Sequence, residues 1–242
     1  MSISGGSNIV VENLYFKNSP SFFHTVNGAT NVIYRGLRLD AEIYPTIAPK
    51  NTDGIDVSAS YVTISNITVS NQDDCIAFKP GANYVTVTDV ICTGSHGISV
   101  GSLGQSSNDV VSNIYVSGAT MINSTKATGI KLWDGTSGHG VATVRNVTFN
   151  NIVVKNSDYA AQIQTCYEST GTCVPSAHTI TDVYWTNVSG TTSSKYDPVV
   201  ANLNCPSLGT CNIHVSSFTV KPPSGKANVL CSAVDVYTGS DL

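Results

Sequence analysis

From Ser7 onward the chain keeps returning to one pattern of apolar and polar positions. It runs Ser7-Asn8-Ile9-Val10-Val11-Glu12-Asn13-Leu14, recurs over residues 30–37, then as Tyr61-Val62-Thr63-Ile64-Ser65-Asn66-Ile67-Thr68, and again over residues 84–91, 144–152 and 180–188. Each unit alternates apolar and polar side chains for a few positions, the period of a strand, and is then broken by Asn, Gly or Ser. Nothing between the units is long enough for a crossover helix, which excludes a parallel sheet built on helical connections. Asn8 to Asn31 and Tyr61 to Tyr84 are both 23 residues, so the repeat has a coil-like period.

Short strands at this spacing, without helices, require a chain that winds on itself. The expected fold is all-β, a single-stranded parallel β-helix: coils stack about 4.8 Å apart, inward Val and Ile form a continuous core, and outward residues at equal coil positions form rows. A β-sandwich would instead place Asn-Gly or Asp-Gly hairpin turns between neighbouring strands at shorter spacing. Residues 1–242 are expected to be a single domain. Residues 7–16 already read as a core coil with no cap before them, and an uncapped solenoid exposes strand edges and apolar interior, so further N-terminal turns are expected ahead of them.

On stacked coils the polar outliers stop being isolated. Asp53 in Asn51-Thr52-Asp53-Gly54 and the pair in Gln72-Asp73-Asp74-Cys75 are one coil apart, as are Asp73 and His96 in Gly94-Ser95-His96-Gly97. Gly129-Ile130-Lys131 falls one longer coil further on. One outer face would then carry three carboxylates, an imidazole and an ammonium. Two carboxyl groups flanking a sugar linkage are what glycoside hydrolysis requires, one to protonate the leaving oxygen and one to accept a proton from water or attack the sugar. Crowding three of them raises at least one pKa, which supplies a proton donor. Singly, each motif is an ordinary turn, a solvated loop or a surface lysine; their order and spacing carry the signal.

Composition narrows the partners. Charged residues make up only 12% of the chain, the net charge is −4 and the pI about 5.6, with only Arg35, Arg38 and Arg145 as arginines, so no concentrated basic face exists for nucleic acid. No apolar stretch approaches the roughly 18 residues of a membrane helix. Residues 1–6 lack the basic start and apolar middle of a signal peptide, which is expected to belong with the preceding turns. The seven cysteines include no Cys-x-x-Cys pair, so disulfides are expected rather than a metal site. Cys166 with Cys173 and Cys205 with Cys211 read as local staples, Cys75 with Cys92 as a clip between turns, and Cys231 is left single. Sequons at Asn66, Asn123, Asn146 and Asn187 fit a secretory route and an extracellular protein.

The four motifs, in this order, resemble the signature of the polygalacturonase family of glycoside hydrolases, family 28. That resemblance implies a right-handed β-helix that cuts pectin with inversion, as a monomer and without metal or other cofactor. It implies Asp73 as general acid, Asp53 and Asp74 as the residues that position and deprotonate water, and His96 as the group that sets the acid's protonation or orientation. Asn51 and Lys131 would contact substrate, with Tyr167 matched more loosely, and Cys75 would bond Cys92. The family usually reads Arg-Ile-Lys where this chain has Gly129-Ile130-Lys131, so a guanidinium that would fork onto a galacturonate carboxylate is absent and a more open cleft is expected at Gly129. With residues 93–105 and 118–125, this departure resembles the fungal members that act on xylose-branched galacturonan; exopolygalacturonases on unbranched galacturonan, which share residues 94–104, are the alternative. A pectate lyase would use calcium-binding carboxylates and a basic residue for proton abstraction, and a non-catalytic pectin-binding β-helix would not need all three carboxylates.

Overall fold

The structure is a computed structural model that describes residues 1–42, 49–233 and 235–238. Seventeen strands form one continuous curled sheet and pair in parallel throughout, and the described residues contain no helix. Successive coils lie in register: Ile9, Val32, Val62, Val85, Ile114, Val147, Val183 and Ile213 occupy one position of the ladder. The repeat anticipated from sequence is therefore a stack of coils, and it includes two units that the pattern search passes over, Asp109–Ile122 and Thr210–Lys221.

The recurrent Asn and Gly residues are the corners. Asn8, Asn31, Tyr61, Tyr84, Asn113, Asn146 and Asp182 stand one above another, all with φ between 52° and 58°. A second corner runs through Asn13, Gly36, Asn66, Asp89, Gly118, Asn151 and Asn187, again at positive φ. A left-handed residue turns the chain between two strands, and Asn, Asp and Gly tolerate that conformation best. Where tyrosine takes the corner, Tyr61 and Tyr84 stack with ring centroids 5.0 Å apart and planes 7° from parallel. Elsewhere asparagines ladder, as in Asn146 Nδ2 donating to Asn113 Oδ1 at 2.7 Å.

Between the corners alternate residues point inward. Val62, Ile64, Ile67 and Val69 are buried while Tyr61, Thr63 and Thr68 are exposed, and the same alternation in every coil fuses the inward residues into one core. Phe149 and Trp185 stack inside it at 5.5 Å. All three expected disulfides are present, Cys75–Cys92, Cys166–Cys173 and Cys205–Cys211, and Cys231 is an exposed thiol. No helix among the described residues is long and apolar enough to cross a membrane.

A second, shorter ladder fixes the functional face. Ile55 pairs with Ile76, Ile76 with Ile98, Ile98 with Thr128, and Thr128 with Ala161. The connections that follow these short strands, residues 133–141 and 165–178, are the long ones, so the coils extend on this side without disturbing the core.

Inward and outward positions should respond differently to truncation. Ile64→Ala should lose about 2–5 kcal/mol of stability, while Thr63→Ala on the opposite face of the same strand should stay within about 0.5 kcal/mol. Urea melts of both variants check the assignment; equal losses would mean the register is wrong.

Candidate active site

Asp53, Asp74 and His96 each sit two residues before their strand of the short ladder, at Ile55, Ile76 and Ile98, so ladder register alone aligns them. Backbone hydrogen bonds hold the turns together: Gly54 N donates to Asp74 O at 2.9 Å and His96 N to Asp73 O at 2.8 Å. Buried Asn71 ties the first two turns by donating to Thr52 O at 2.7 Å and Asp74 O at 2.9 Å. The Cys75–Cys92 bond anchors the strand that begins at Ile76, directly after Cys75.

The three carboxylates converge, with one oxygen of each lying within 4.8 Å of those of the other two. They differ in surroundings. Asp74 is fully buried, with Oδ2 2.5 Å from Lys131 Nζ and Oδ1 accepting from Ser99 Oγ at 2.8 Å. Burial would push its carboxyl up, but the Lys131 and Lys126 ammoniums outweigh this and hold it below the usual range. Lys131 is raised in turn: burial lowers it and Asp74 more than compensates. Removing one partner alone would leave a buried uncompensated charge, at a cost of about 3–5 kcal/mol.

Asp73 is the carboxyl that reaches solvent, its side chain 19% exposed against 4% for Asp53 and 1% for Asp74. Its Oδ1 lies 3.2 Å from His96 Nδ1 and accepts the Asp74 N–H at 2.8 Å. Burial raises Asp73, yet the hydrogen bond and charge of His96 prevail and its pKa is lowered. The crowded carboxyl whose pKa rises is Asp53, pushed to about 8 by burial and by Asp56, Asp73 and Asp74, with Lys79 opposing. Crowding does separate the pKa values, as expected, but the proton it retains sits on the buried Asp53 rather than on the exposed Asp73.

Tyr167 joins the constellation, with Lys131 Nζ 5.1 Å from its ring centroid and Trp133 packed edge-on at 6.0 Å. Asn51 is exposed and adopts φ 52° just ahead of the Asp53 turn. Gly129 differs from expectation. It is buried, and the opening predicted there is filled: a Cβ on it would lie 2.5 Å from the Gln162 carbonyl oxygen and 2.9 Å from Lys126 Cδ.

Several residues escaped the sequence reading. Asp56, pushed to about 6 by burial against the pull of Lys79, stands beside Asp53; Lys79 Nζ lies 3.8 Å from Asp53 and 3.6 Å from Asp56. Lys126 is 4% exposed and donates from Nζ to His96 O at 2.7 Å. Lys126 precedes Thr128 by the same two residues that separate Asp53, Asp74 and His96 from their strands, so counting back from each strand would have found it.

Beside the carboxylates lies a cavity of about 280 Å³ lined by His96, Lys126, Lys131, Gln162, Gln164 and Tyr167 among others. A larger concavity of about 770 Å³ lies on another face, around Tyr61, Tyr84 and Tyr115, and has no carboxylate, imidazole or ammonium in its lining. The chemistry rather than the volume marks the site. The three carboxylates could also hold a cation, which would compete with Lys131 and His96 for Asp74 and Asp73.

Comparison with known proteins gives the family. The family model of glycosyl hydrolases family 28 matches residues 1–239. The chain belongs to that family. Endo-xylogalacturonan hydrolase A from Aspergillus tubingensis is 57% identical across 99% of this chain and 59% of its own length, and a probable endo-xylogalacturonan hydrolase A from Aspergillus niger matches with the same figures. The crystal structure of the Aspergillus tubingensis endo-xylogalacturonan hydrolase superposes with a TM-score of 0.95 at 53% identity, covering 99% of this chain and 67% of that one. Endopolygalacturonase I from Stereum purpureum, solved with two galacturonates, gives 0.76 at 26% identity over 98% and 70%. The chain thus spans about 59% of the length of the curated relatives it matches. Within family 28 the parallel β-helix and its disulfide clip are accounted for; the roles of individual residues rest on the geometry above.

The Asp53 pKa has a stability consequence with a defined sign. Its value of about 8, against an ordinary 3.8, means the folded protein keeps a proton that the unfolded chain releases. This preference favours the fold fully below the unfolded value and fades as pH rises through about 8. Asp53→Asn removes the dependence, so its melting temperature relative to wild type should climb by about 4 °C or more between pH 4 and pH 8. A difference independent of pH would show that Asp53 titrates normally.

Proposed function

We propose that the protein hydrolyses α-1,4 galacturonosyl linkages of pectin with inversion, acting best on galacturonan that carries xylose branches. The observation that carries this reading is the solvent-reaching Asp73 paired with His96 in front of two buried carboxyls. The likeness to endo-xylogalacturonan hydrolases supports the choice of branched polymer.

Asp73, as the exposed member, meets the glycosidic oxygen. In the free protein the contact with His96 lowers the Asp73 pKa. Docked sugar removes solvent from Asp73, which favours its protonated form and so arms it as the general acid. Oxygens of Asp53 and Asp74 up to 4.8 Å apart can be bridged by one water making hydrogen bonds of about 2.8 Å to each. Such a water attacks the face opposite the leaving oxygen, which gives inversion. Asp74, held ionised by Lys131, takes the proton of the attacking water, while Asp53, which keeps its own proton, positions that water by hydrogen bonding. Asn51 and Tyr167 contact flanking sugar units. The protein acts as an extracellular monomer.

Reducing ends released from xylogalacturonan should exceed those from unbranched polygalacturonate; faster cleavage of the unbranched polymer would favour the exopolygalacturonase alternative, and unsaturated products would indicate a lyase. Asp73→Asn should lower turnover by about 10²–10⁴-fold with the melting curve preserved. Retained activity in that variant would remove Asp73 from the acid role.

A further inference from the structure

Three lysines and a histidine line the 280 Å³ cavity, and all but one of them face a carboxylate. Lys131 Nζ lies 2.5 Å from Asp74, Lys195 Nζ 2.8 Å from Asp158, and His96 Nδ1 3.2 Å from Asp73. Among the described residues, Lys126 has no carboxylate within ion-pair distance; its Nζ donates to a neutral group, the His96 carbonyl, at 2.7 Å. It is nonetheless only 4% exposed. A buried ammonium whose nearest carboxylates, Asp74 and Asp73, lie beyond ion-pair distance is under-compensated, and one hydrogen bond uses one of its three donors. Burial pushes its pKa down to about 8, with Lys131 adding to the shift and Asp74 and Asp73 opposing it, so at neutral and acidic pH it remains charged.

The glycine at 129 belongs to the same arrangement. A Cβ there would stand 2.5 Å from the Gln162 carbonyl oxygen and 2.9 Å and 3.1 Å from Lys126 Cδ and Cε, so the neighbouring backbone and the observed course of the Lys126 stem both exclude a side chain at 129. Gly129 therefore clears a path for a lysine that arises three residues earlier. Apart from Asp158, which Lys195 pairs, the rest of the lining is neutral and hydrogen-bonding, including Gln162, Gln164, Tyr159 and Tyr167, which suits a sugar ring bearing a single negative charge.

We infer that Lys126 binds the carboxylate of a uronate unit in this cavity and makes the cavity selective for an acidic over a neutral sugar. Gly129 serves that selectivity by admitting the Lys126 side chain. The inference builds on the proposed galacturonan hydrolysis and assigns one of its binding contacts.

The test is calorimetric binding of trigalacturonate and of its uncharged counterpart, α-1,4-galactotriose, to the protein and to Lys126→Met and Lys126→Gln. Wild type should prefer the acid, and both variants should bind it at least tenfold more weakly while their affinity for galactotriose stays within about twofold. Glutamine still donates to the His96 carbonyl, so if it restores trigalacturonate affinity, Lys126 is only a strut and the inference fails. Equal weakening for both sugars, or no weakening, would also overturn it. Should Lys126→Met fail to fold, Lys126→Gln gives the same reading. A wild type that binds the acid selectively but cleaves no galacturonan would refute the proposed function and leave this contact standing.

Discussion

Every feature of the site depends on a register: each coil must lie on the next with its turn directly over the turn below. Parallel ladder hydrogen bonds set the spacing, but they hold only if every coil bends at the same places. Those bends are left-handed residues stacked at the corners, which is why Asn, Asp and Gly recur where they do. Once the corners are fixed, an offset of two residues before a strand becomes a position in space, and Asp53, Asp74, His96 and Lys126 share it.

Like charges brought into one row are sorted by what stands behind each of them. Asp74 is the most buried yet is held ionised, because Lys131 compensates it directly. Asp53 is nearly as buried, but Lys79 is 3.8 Å away and shared with Asp56, so burial prevails and its proton stays. Asp73 reaches solvent and borrows its electrostatics from His96. Three chemically identical side chains thus acquire three protonation behaviours from partners on other coils, the asymmetry acid–base hydrolysis needs.

The same geometry explains two signals that were ambiguous along the chain. Asn66-Ile67-Thr68, Asn146-Val147-Thr148 and Asn187-Val188-Ser189 each read corner, inward residue, outward residue, so a coil with asparagine at its corner tends to spell a sequon. Gly129 reads on its own as a missing arginine and an open space. In the fold the space holds the stem of Lys126, a residue in an unremarkable Ser-Thr-Lys-Ala run whose importance depends on what lies one coil below it.

The period-2 alternation and the corner residues determined the solenoid, because inward burial and left-handed turns are local requirements that each coil states again. Motif order and spacing determined that Asp53, Asp73, Asp74, His96 and Lys131 would share a face, and the cysteine gaps determined the pairing. Tertiary structure alone decided which carboxyl keeps its proton, that Asp56, Lys79 and Lys126 belong to the site, and that Gly129 is covered. Those outcomes depend on distances of a few ångströms between side chains separated by twenty to thirty residues or more of chain, where Coulomb energy and desolvation change steeply with position. Spacing along the chain aligns residues to a coil; only the packed coils set how far apart their charges stand.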